Sequence, residues 1–444
     1  MDRTPLRIGF FSDTYRPYIS GAVRSMELFA QGLRARGHSV VIFAPSYPGY
    51  SGAREQGVVR LPSLPLPGYP HLRLTLPLVE TLTGQVTGFD LDVVHCHSPF
   101  AVGFLGLAVA RQMETPALFS CHSLYEEYVR SHMPWAPTSF RRLVRRYTVD
   151  FCNLTDAVVA PSVFTREFLI EAGVSVPVRT IPTGIVIQEA DGTEGQGTDA
   201  GDGAGANAST EAARFHDVGG PAEAEMAASR ETIRLGWTAA VGRHTRFLLF
   251  VGRLSKEKNL SFLVDALSEL VAAGRDYYLI IVGDGPDRLR VAAQAEKMGL
   301  ARRVVFTGAL IPSQVQQFYR AADVFVFASP HETQGLVLLE AMANGLPVVA
   351  VDSPASSELT GGGDSGLLVP ADPSQMAAAV RRVAETPEVS ERLGQRGRER
   401  AAQFSTTAMT AHLEDFYYEL IDQHSGQKPA EPDFSFLKTL FSPR

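Results

Sequence analysis

The stretch VFVFASPHETQGLVLLEAMANGLPVVAV, Val324 to Val351, reads as a strand, a loop, a helix and a second strand. Its two ends, Val324–Ser329 and Pro347–Val351, are short and continuously apolar, and the segment between them has the length and composition of a helix. Continuous apolar strands joined through helices are typical of parallel sheets that are covered on both faces. The stretch therefore predicts part of a doubly wound α/β domain.

The same pattern recurs on both sides of this stretch. Further short apolar runs, with amphipathic stretches between them, are Leu6–Phe11, Ser39–Pro45, Asp92–His97, Pro116–Cys121, Ala157–Pro161, Phe247–Gly252, Tyr277–Gly283 and Val304–Gly308. We therefore expect an α/β protein with two doubly wound, Rossmann-like domains that face each other across a cleft. Such sheets bind ligands beyond the carboxyl ends of their strands, so the residues directly after each strand are the functional candidates.

The region between the two halves has a different composition. Residues 189–229 are rich in Gly, Ala and acidic side chains, and they cannot bury enough apolar surface to offset the entropy of ordering them. We predict a disordered spacer there, with a regulatory acidic tether as the alternative. The predicted boundaries are 1–185 for the N-terminal domain, 186–240 for the linker, 241–404 for the C-terminal domain, 405–424 for a helix that packs back toward the N-terminal domain, and 425–444 for a tail.

The whole-chain composition excludes several classes of protein. With 45% apolar and 20% charged residues, the 444-residue chain is neither fibrous nor mostly disordered. It has no run of eighteen apolar residues and no signal-peptide pattern, so no spanning helix is expected. The net charge of -7 arises within residues 189–231, and the near-neutral remainder predicts no nucleic-acid partner. The three cysteines form no CxxC pair, which favours reduced thiols in a cytoplasmic protein.

Two features of the C-terminal half predict a diphosphate site. Arg253 and Lys258 directly follow a predicted strand, where two cations can neutralise a diphosphate. The first-turn amides around Gly335, Leu336 and Val337 have no intrahelical partners, so they suit the same anion. Together these groups would stabilise the charge that develops when a glycosyl–phosphate bond breaks.

Two glutamates flank the start of the same helix. Glu340 lies one to two turns inside it and could accept hydrogen bonds from both hydroxyls of a ribose, whereas Glu332 precedes it and would lie nearer a sugar. Two capping or solvated glutamates are the alternative. The Gly-rich turn Ile281–Arg288 is not a GxGxxG motif, so a dinucleotide site is poorly supported.

The segments GRLSKEKN, VGDGP and ETQGLVLLEAMANGLPVVA together resemble the retaining nucleotide-sugar glycosyltransferases of family 4, which have the GT-B fold. The resemblance covers nearly the whole chain, apart from residues 189–229 and the last twenty. It implies a donor-binding C-terminal domain and an acceptor-binding N-terminal domain. It places Arg253 and Lys258 on the donor diphosphate, Glu332 beside the donor sugar and Glu340 on the ribose. Such enzymes typically need no metal ion, so we expect neither a metal nor another cofactor.

The resemblance extends to the N-terminal half. Gly21 matches the second residue of a family glycine pair that contacts the diphosphate or sugar, whereas Ser20 replaces the first. His122 lies past a strand end, where a family histidine hydrogen-bonds the donor sugar near the reacting carbon. The acceptor-side candidates are Asp13, Tyr125 and Tyr128, and for Asp13 a loop-capping role is equally open.

A zinc cluster is a second interpretation of the histidines in this half. His95 and His97 flank Cys96 at a strand end, and alternate strand positions share a face. No acidic side chain or third histidine lies at helical spacing to complete such a site. We therefore expect no metal here.

Three segments bear on the acceptor. The basic side chains Arg141, Arg142, Arg145 and Arg146 share one side of a predicted helix after Trp135 and Phe140, and they suit anionic lipid headgroups; a solvated basic face is the alternative. The proline-rich segment Leu61–Leu78 is unusually apolar for a loop and could line an acceptor groove. The tail segment Phe434–Phe441 could dock on lipid or pack on the protein body.

The phrases FSDTYRPYISGAV, HSPF, HSLYEEYV and ETQGL together resemble the family branch that glycosylates diacylglycerol. This resemblance implies a peripheral enzyme on the inner face of the cell membrane. The expected reaction moves a hexosyl group from UDP-glucose to a lipid hydroxyl, such as that of diacylglycerol, with retention. The alternatives are a soluble small-molecule acceptor and a non-catalytic nucleotide-sugar-binding protein.

Overall fold

The computed structural model describes residues 3–18, 20–48, 56–66, 69–75, 86–133, 135–187, 244–330 and 332–424. The chain forms two compact units: unit 1 contains residues 1–185 and 404–444, and unit 2 contains residues 186–403. Each unit is built on a parallel sheet covered by helices, so the predicted α/β class with two Rossmann-like domains is confirmed. The predicted spacer at 189–229 and the tail at 425–444 lie outside the described residues.

Unit 1 is organised around a seven-stranded parallel sheet with the order β3-β2-β1-β6-β7-β8-β9. Its strands are β1 (Arg7–Phe11), β2 (Ser39–Pro45), β3 (Val58–Leu61), β4 (Ser63–Leu66), β5 (Tyr69–Thr75), β6 (Val93–Cys96), β7 (Ala117–Ser120), β8 (Ala157–Ala160) and β9 (Val178–Thr180). Its first helices are α1 (Gly21–Ala35), α2 (Ala101–Met113), α3 (Tyr125–His132), α4 (Thr138–Asn153) and α5 (Val163–Ala172). The inner strands are buried along their whole length, as their continuous apolar sequences require.

Unit 2 repeats the architecture with a six-stranded parallel sheet in the order β12-β11-β10-β13-β14-β15. Its strands are β10 (Arg246–Val251), β11 (Tyr277–Val282), β12 (Val304–Gly308), β13 (Val324–Phe327), β14 (Val348–Val351) and β15 (Leu367–Val369). Its helices are α6 (Leu260–Ala272), α7 (Arg288–Lys297), α8 (Pro312–Ala321), α9 (Leu336–Ala343), α10 (Pro354–Thr360), α11 (Pro373–Glu385) and α12 (Pro387–Ala402).

Local sequence explains where several of these helices begin. Ser353 accepts a hydrogen bond from the Ser356 amide, and Pro354 occupies the first helical position of α10, where its missing N–H costs nothing. Asp372 and Pro373 start α11 in the same way. Each signal directly follows a strand, which keeps the connections of the doubly wound sheet short.

The proline-rich segment Leu61–Leu78 is not simply a loop, and this part of the expectation was wrong. It contains β4 and β5, which pair as an antiparallel two-stranded sheet. A two-stranded sheet has only edge strands, and edge strands tolerate proline because not every N–H must join the ladder. Leu64 and Leu74 face each other across this hairpin and are 55% and 51% exposed. The hairpin therefore presents an apolar pair to solvent.

The last described helix, α13 (Thr406–His424), belongs to unit 1 and packs on α1. The two helices approach closely, since a Cβ atom on Gly32 would lie 2.3 Å from the Thr410 hydroxyl oxygen. Glu414 on α13 accepts hydrogen bonds from Arg36 at 2.6 Å and from His38 at 2.8 Å. Burial works to raise the pKa of Glu414, but the hydrogen bonds from His38 and Arg36 outweigh it and lower that pKa. The charged carboxylate thus anchors α13 to unit 1.

Across the ranges that the structure describes, no helix has both the length and the apolar character that crossing a bilayer demands.

Candidate active site

Both sheets reverse their strand order at one point. The predicted site residues of unit 2 follow the two strands that meet there, and so do Asp13 and Gly21 in unit 1, whereas His122, Tyr125 and Tyr128 follow β7. In unit 2 the chain winds outward from β10 through β11 and β12, and then returns to the other side of β10 as β13. In unit 1 the corresponding reversal lies between β1 and β6. The loops after such neighbouring strands diverge to opposite faces and leave a crevice, which is the usual ligand site of doubly wound sheets.

In unit 2, the loops after β10 and β13 are held together by two contacts. The ammonium group of Lys258 forms an ion pair with Glu332, and the two side chains are 20% and 19% exposed. The hydroxyl of Ser329, just beyond β13, donates to the backbone carbonyl of Glu257 at 2.9 Å. Arg253 lies exposed in the same loop as Lys258. The predicted cations and the first predicted carboxylate therefore lie on two adjoining loops.

The Gly-rich turn within Ile281–Arg288 has a packing role. The Leu254 amide donates to the Asp284 carbonyl at 3.0 Å, which ties this turn to the loop after β10. A Cβ atom on Gly283 would lie 2.0 Å from the carbonyl oxygen of Gly252, so only glycine fits there. The glycine pattern in this turn therefore supports the loop that carries Lys258.

The helix α9 begins at Leu336, one short loop after Glu332. Gly335 precedes the helix with φ 82° and ψ 52°, a left-handed conformation that favours glycine. Among the described residues, no side chain caps this helix start, so the first-turn amides at Leu336 and Val337 remain suited to an anion. The partial positive charge of the helix end adds to that of Lys258 and Arg253.

Glu340 lies inside α9 and is positioned by Tyr319 of α8. The buried Tyr319 hydroxyl donates to one carboxylate oxygen of Glu340 at 2.9 Å. Burial, and then the charge of Glu340, raises the pKa of Tyr319 well above its usual value, so the phenol stays protonated as a donor. Tyr319 could not be predicted as a site residue, because nothing in the sequence around α8 marks it as a neighbour of α9.

In unit 1, Asp13 caps a helix. Its two carboxylate oxygens accept hydrogen bonds from the Ser98 hydroxyl at 2.6 Å and from the Val102 amide at 3.0 Å. Burial raises the pKa of Asp13, and the hydrogen bonds from Ser98 and Val102 oppose that change. Of the two roles left open for this residue, the structure supports the capping role, because both oxygens are engaged at the start of α2.

His122 follows β7 and contacts a second histidine. Its Nε2 atom lies 2.9 Å from Nδ1 of His97, and burial lowers its pKa to about 4. Tyr125 begins α3 and packs edge-on against Phe100, with ring centroids 5.4 Å apart. The side chain of Tyr128 lies outside the part that the structure describes.

Gly21 is the first residue of α1, and the packing around it does not require a glycine. The hydroxyl of Ser20 accepts from the Val23 amide at 3.2 Å, so the serine that departs from the family pattern is an ordinary helix cap. A Cβ atom on Gly21 would meet no described atom within 4 Å. The proposed contact of Gly21 with the donor therefore stays a prediction.

The structure does not support the zinc interpretation of the histidines and cysteines. Cys96, Cys121 and Cys152 are buried free thiols, and burial raises the pKa of all three. Among the described side chains, no group of three or more His, Cys, Asp or Glu could hold a metal ion.

The arginine-rich segment forms α4, but its four arginines do not share one exposed face as expected. Arg145 packs over the Phe168 ring, 5.6 Å from its centroid, and Arg141 is half-buried. Arg142 and Arg146 are exposed, and Arg146 lies 3.6 Å from Asp150. The exposed apolar side chains of this segment are Trp135, which is 76% exposed, Phe140 and Leu143. The outward surface of α4 is therefore amphipathic but only moderately basic.

Family models of glycosyltransferases match parts of both units. The family model described as glycosyl transferases group 1 matches residues 240–400, and that described as Glycosyltransferase Family 4 matches residues 19–189. An alpha-monoglucosyldiacylglycerol synthase of Streptococcus pneumoniae is 27% identical over 98% of this chain and 91% of its own length. A GDP-mannose-dependent alpha-mannosyltransferase of Mycobacterium tuberculosis is 30% identical over 82% of this chain and 84% of its own length.

Two solved structures have the same fold. Sucrose-phosphate synthase from Thermosynechococcus elongatus aligns with a TM-score of 0.72 at 20% identity, over 94% of this chain and 100% of its own. Anabaena HepE in complex with UDP aligns with a TM-score of 0.69 at 19% identity, over 93% of this chain and 100% of its own.

Proposed function

Because this chain belongs to the family 4 glycosyltransferases and has their GT-B fold, we propose that it transfers a glucosyl group from UDP-glucose to diacylglycerol, with retention at the anomeric carbon. The observation that best supports donor binding is the Lys258–Glu332 ion pair beside the uncapped start of α9. The acceptor half is supported by the similarity to alpha-monoglucosyldiacylglycerol synthases, which also include one of Acholeplasma laidlawii at 24% identity over 95% of this chain.

Unit 2 supplies the electrostatics that such a reaction needs. As the bond between the sugar and the diphosphate breaks, negative charge grows on the leaving oxygens, and preorganised donors stabilise that charge most effectively. Arg253, Lys258 and the first amides of α9 serve this purpose in the proposal. Glu340, held by Tyr319, accepts hydrogen bonds from the ribose. Since the cations come from the chain itself, we propose that transfer needs no metal ion.

Retention follows from same-face attack in this proposal. The bond between the anomeric carbon and the phosphate oxygen breaks as the acceptor oxygen bonds to the same face of that carbon. The acceptor hydroxyl gives its proton to the departing phosphate oxygen, so UDP leaves and the charges balance. Glu332 and His122 orient the transferred sugar.

The direct test is transfer by the purified protein with EDTA present. We expect radiolabel to pass from UDP-glucose to dioleoylglycerol in mixed vesicles, and the product to carry an α-glycosidic bond by NMR. GDP-mannose is tested in parallel, because one similar protein is named a GDP-mannose-dependent mannosyltransferase. Transfer from GDP-mannose alone would contradict the proposed donor, and transfer only to water-soluble acceptors would contradict the proposed lipid.

A peripheral position on the cytoplasmic face of the membrane predicts that the α4 surface, comprising Trp135, Phe140, Arg142, Leu143 and Arg146, binds anionic vesicles. Each basic side chain near an anionic surface contributes about 1 kcal/mol, so the R142E/R146E double variant should lose about tenfold or more in partitioning. The measurement is co-sedimentation with phosphatidylglycerol vesicles at low salt.

The matched control is R381E/R382E, because it changes the charge equally on exposed side chains of unit 2. This control should partition like the wild type. Equal losses in both double variants would show that net charge, rather than the α4 surface, governs binding.

A further inference from the structure

Several side chains that the proposed reaction does not use gather at one edge of unit 1. The strands β1, β2 and β3 are neighbours in the parallel sheet, so their carboxyl ends meet at this edge. Tyr47 follows the end of β2, and Arg60 lies near the end of β3. Ligands of doubly wound sheets bind beyond such strand ends, so this group is a candidate site.

The hairpin of β4 and β5 adds Arg73 and Thr75 to this edge. The Ser63 hydroxyl of β4 donates to the Ser46 carbonyl at 2.7 Å, which ties the hairpin to the loop that carries Tyr47. Thr75 pairs with Ser63 in the register of the hairpin. Arg73 and Thr75 occupy alternate positions of β5, so their side chains leave the same face. We call the whole group the Tyr47 cluster, and its members are Tyr47, Arg60, Arg73 and Thr75.

Two guanidinium groups lie against the ring of Tyr47. The central carbon of Arg73 is 5.8 Å from the ring centroid, and that of Arg60 is 6.0 Å from it. Arg60 is also held by the Pro45 carbonyl, to which it donates at 3.0 Å. Because two like charges repel each other, an anion that binds beside this ring lowers the electrostatic energy of both.

Arg73 still has donors to offer a ligand. Its Nε atom donates to the Ser63 hydroxyl at 3.2 Å, and its Nη2 atom donates to the Ser63 carbonyl at 2.7 Å. In the part of the chain that the structure describes, this side chain makes no ion pair and no other hydrogen bond. A guanidinium has five N–H groups, so both hydrogens of Nη1 remain available.

Two buried hydroxyl groups complete the cluster. Tyr47 is 8% exposed and Thr75 is 2% exposed, and neither hydroxyl has a hydrogen-bond partner among the described residues. Burying an unpaired hydroxyl costs free energy, so both groups point to a ligand that accepts hydrogen bonds. Burial raises the pKa of Tyr47, and the charges of Arg60 and Arg73 only partly offset that rise. The phenol therefore stays protonated at neutral pH and can donate.

We propose that the Tyr47 cluster is an anion site that binds a phosphate group. Arg73 and the hydroxyls of Tyr47 and Thr75 donate to its oxygens, and Arg60 contributes a second positive charge. Two cations and several donors suit phosphate, which presents oxygens in more directions than a planar carboxylate does. The site belongs to unit 1, whereas the proposed diphosphate site belongs to unit 2. It goes beyond the proposed function, because diacylglycerol carries no phosphate.

Two kinds of ligand carry such a group, namely a phospholipid headgroup and a soluble phosphate ester. Leu64 and Leu74 are exposed, and Leu74 leaves the face of β5 opposite to Arg73. This apolar pair favours a headgroup, because a lipid offers an apolar surface beside its phosphate.

Phosphate binding is measured by ³¹P NMR titration of the full-length protein with glycerol 3-phosphate, with UDP added to occupy the diphosphate site of unit 2. We expect saturable binding by the wild type. Losing a hydrogen bond to a charged group costs about 10- to 100-fold in affinity, so Arg73→Gln should raise Kd by that factor and Tyr47→Phe by about tenfold. Absence of saturable binding, or an unchanged Kd in either variant, would overturn the proposal.

The thermal midpoint of Y47F separates binding from a structural role. Because the Tyr47 hydroxyl has no partner within the described ranges, its removal should leave the midpoint unchanged or slightly raised. A lower midpoint together with weaker binding would show that altered packing explains the loss, and would contradict the proposal.

The matched control for R73Q is Arg166→Gln. Arg166 also donates to a backbone carbonyl, that of Val178 at 3.2 Å, but β9 and β3 lie at opposite edges of the sheet. R166Q should bind glycerol 3-phosphate like the wild type. A loss equal to that of R73Q would show that net charge governs binding, and would overturn the site.

The source of the phosphate is decided by co-sedimentation with phosphatidylglycerol vesicles at low salt. For a headgroup, R73Q should partition about fivefold less than R166Q, and glycerol 3-phosphate should release the wild type. Equal partitioning of R73Q and R166Q, with glycerol 3-phosphate binding still dependent on Arg73, would identify a soluble phosphate ester. Both outcomes support the anion site. None of these readouts requires glycosyl transfer, so failure of the proposed function is recognised separately.

Discussion

Replacing Lys258 with Ala should lower kcat for glycosyl transfer by about 10²–10³-fold, the range typical for losing one group that stabilises charge in the transition state. Lys258 is partly desolvated and paired with Glu332, so its ammonium group is held in place before the donor arrives. Its removal weakens stabilisation of the departing diphosphate. The loss should appear chiefly in kcat, measured by initial rates at saturating donor.

The control for this variant is Lys256→Ala, which removes the same charge from the same short turn. Lys256 is exposed, and we assign it no role in the reaction. K256A should keep the wild-type rate, and both variants should retain the far-UV circular dichroism of the fold. A K258A enzyme as fast as K256A would remove the diphosphate site from the mechanism.

Replacing Glu332 with Ala should cost a similar 10²–10³-fold in kcat, for a different reason. Its carboxylate is expected to hold the transferred sugar, and it also holds Lys258 in place. Residues that act as a unit have strongly non-additive effects, so the K258A/E332A double variant should be little slower than either single variant. A partly exposed ion pair contributes little to folding, so thermal stability should change only slightly.

Asp352→Ala is the matched control for Glu332, since Asp352 is an exposed carboxylate directly after the neighbouring strand β14. It should leave the rate unchanged. If the losses of K258A and E332A multiplied in the double variant, the two side chains would act independently, and the ion pair would not be a functional unit.

The inner strands of both parallel sheets could be predicted from the sequence, but the strands β3, β4, β5, β9 and β15 and the contacts between loops could not. The continuous apolar runs at Val324–Ser329 and Pro347–Val351 are too short for most helices and are typical of buried parallel strands. The structure has a strand in each of them. The pairing of Lys258 with Glu332 depends on β10 lying next to β13. That neighbour relation arises from the winding of the whole sheet, which no local pattern records.

Side chains that act through distant partners were also beyond sequence reasoning. From the sequence, Asp13 could either bind a ligand or cap a loop. The structure distinguishes these roles, because both carboxylate oxygens accept hydrogen bonds from Ser98 and Val102, more than eighty residues further along the chain. Tyr319 carries no signal of its own in the sequence. It gains its importance from Glu340, which it orients, and that contact exists only after α8 and α9 have packed.

The return of α13 to unit 1 bears on how the protein is made. Ribosomes synthesise the chain from its N-terminus at about 5–20 residues per second, and unit 1 lacks Tyr417 and Glu414 until residues 404–424 emerge. All of unit 2 is translated in between, which takes on the order of ten seconds or more. During that interval the surface of α1 that α13 covers stays open to water, and the nascent chain presents it to chaperones.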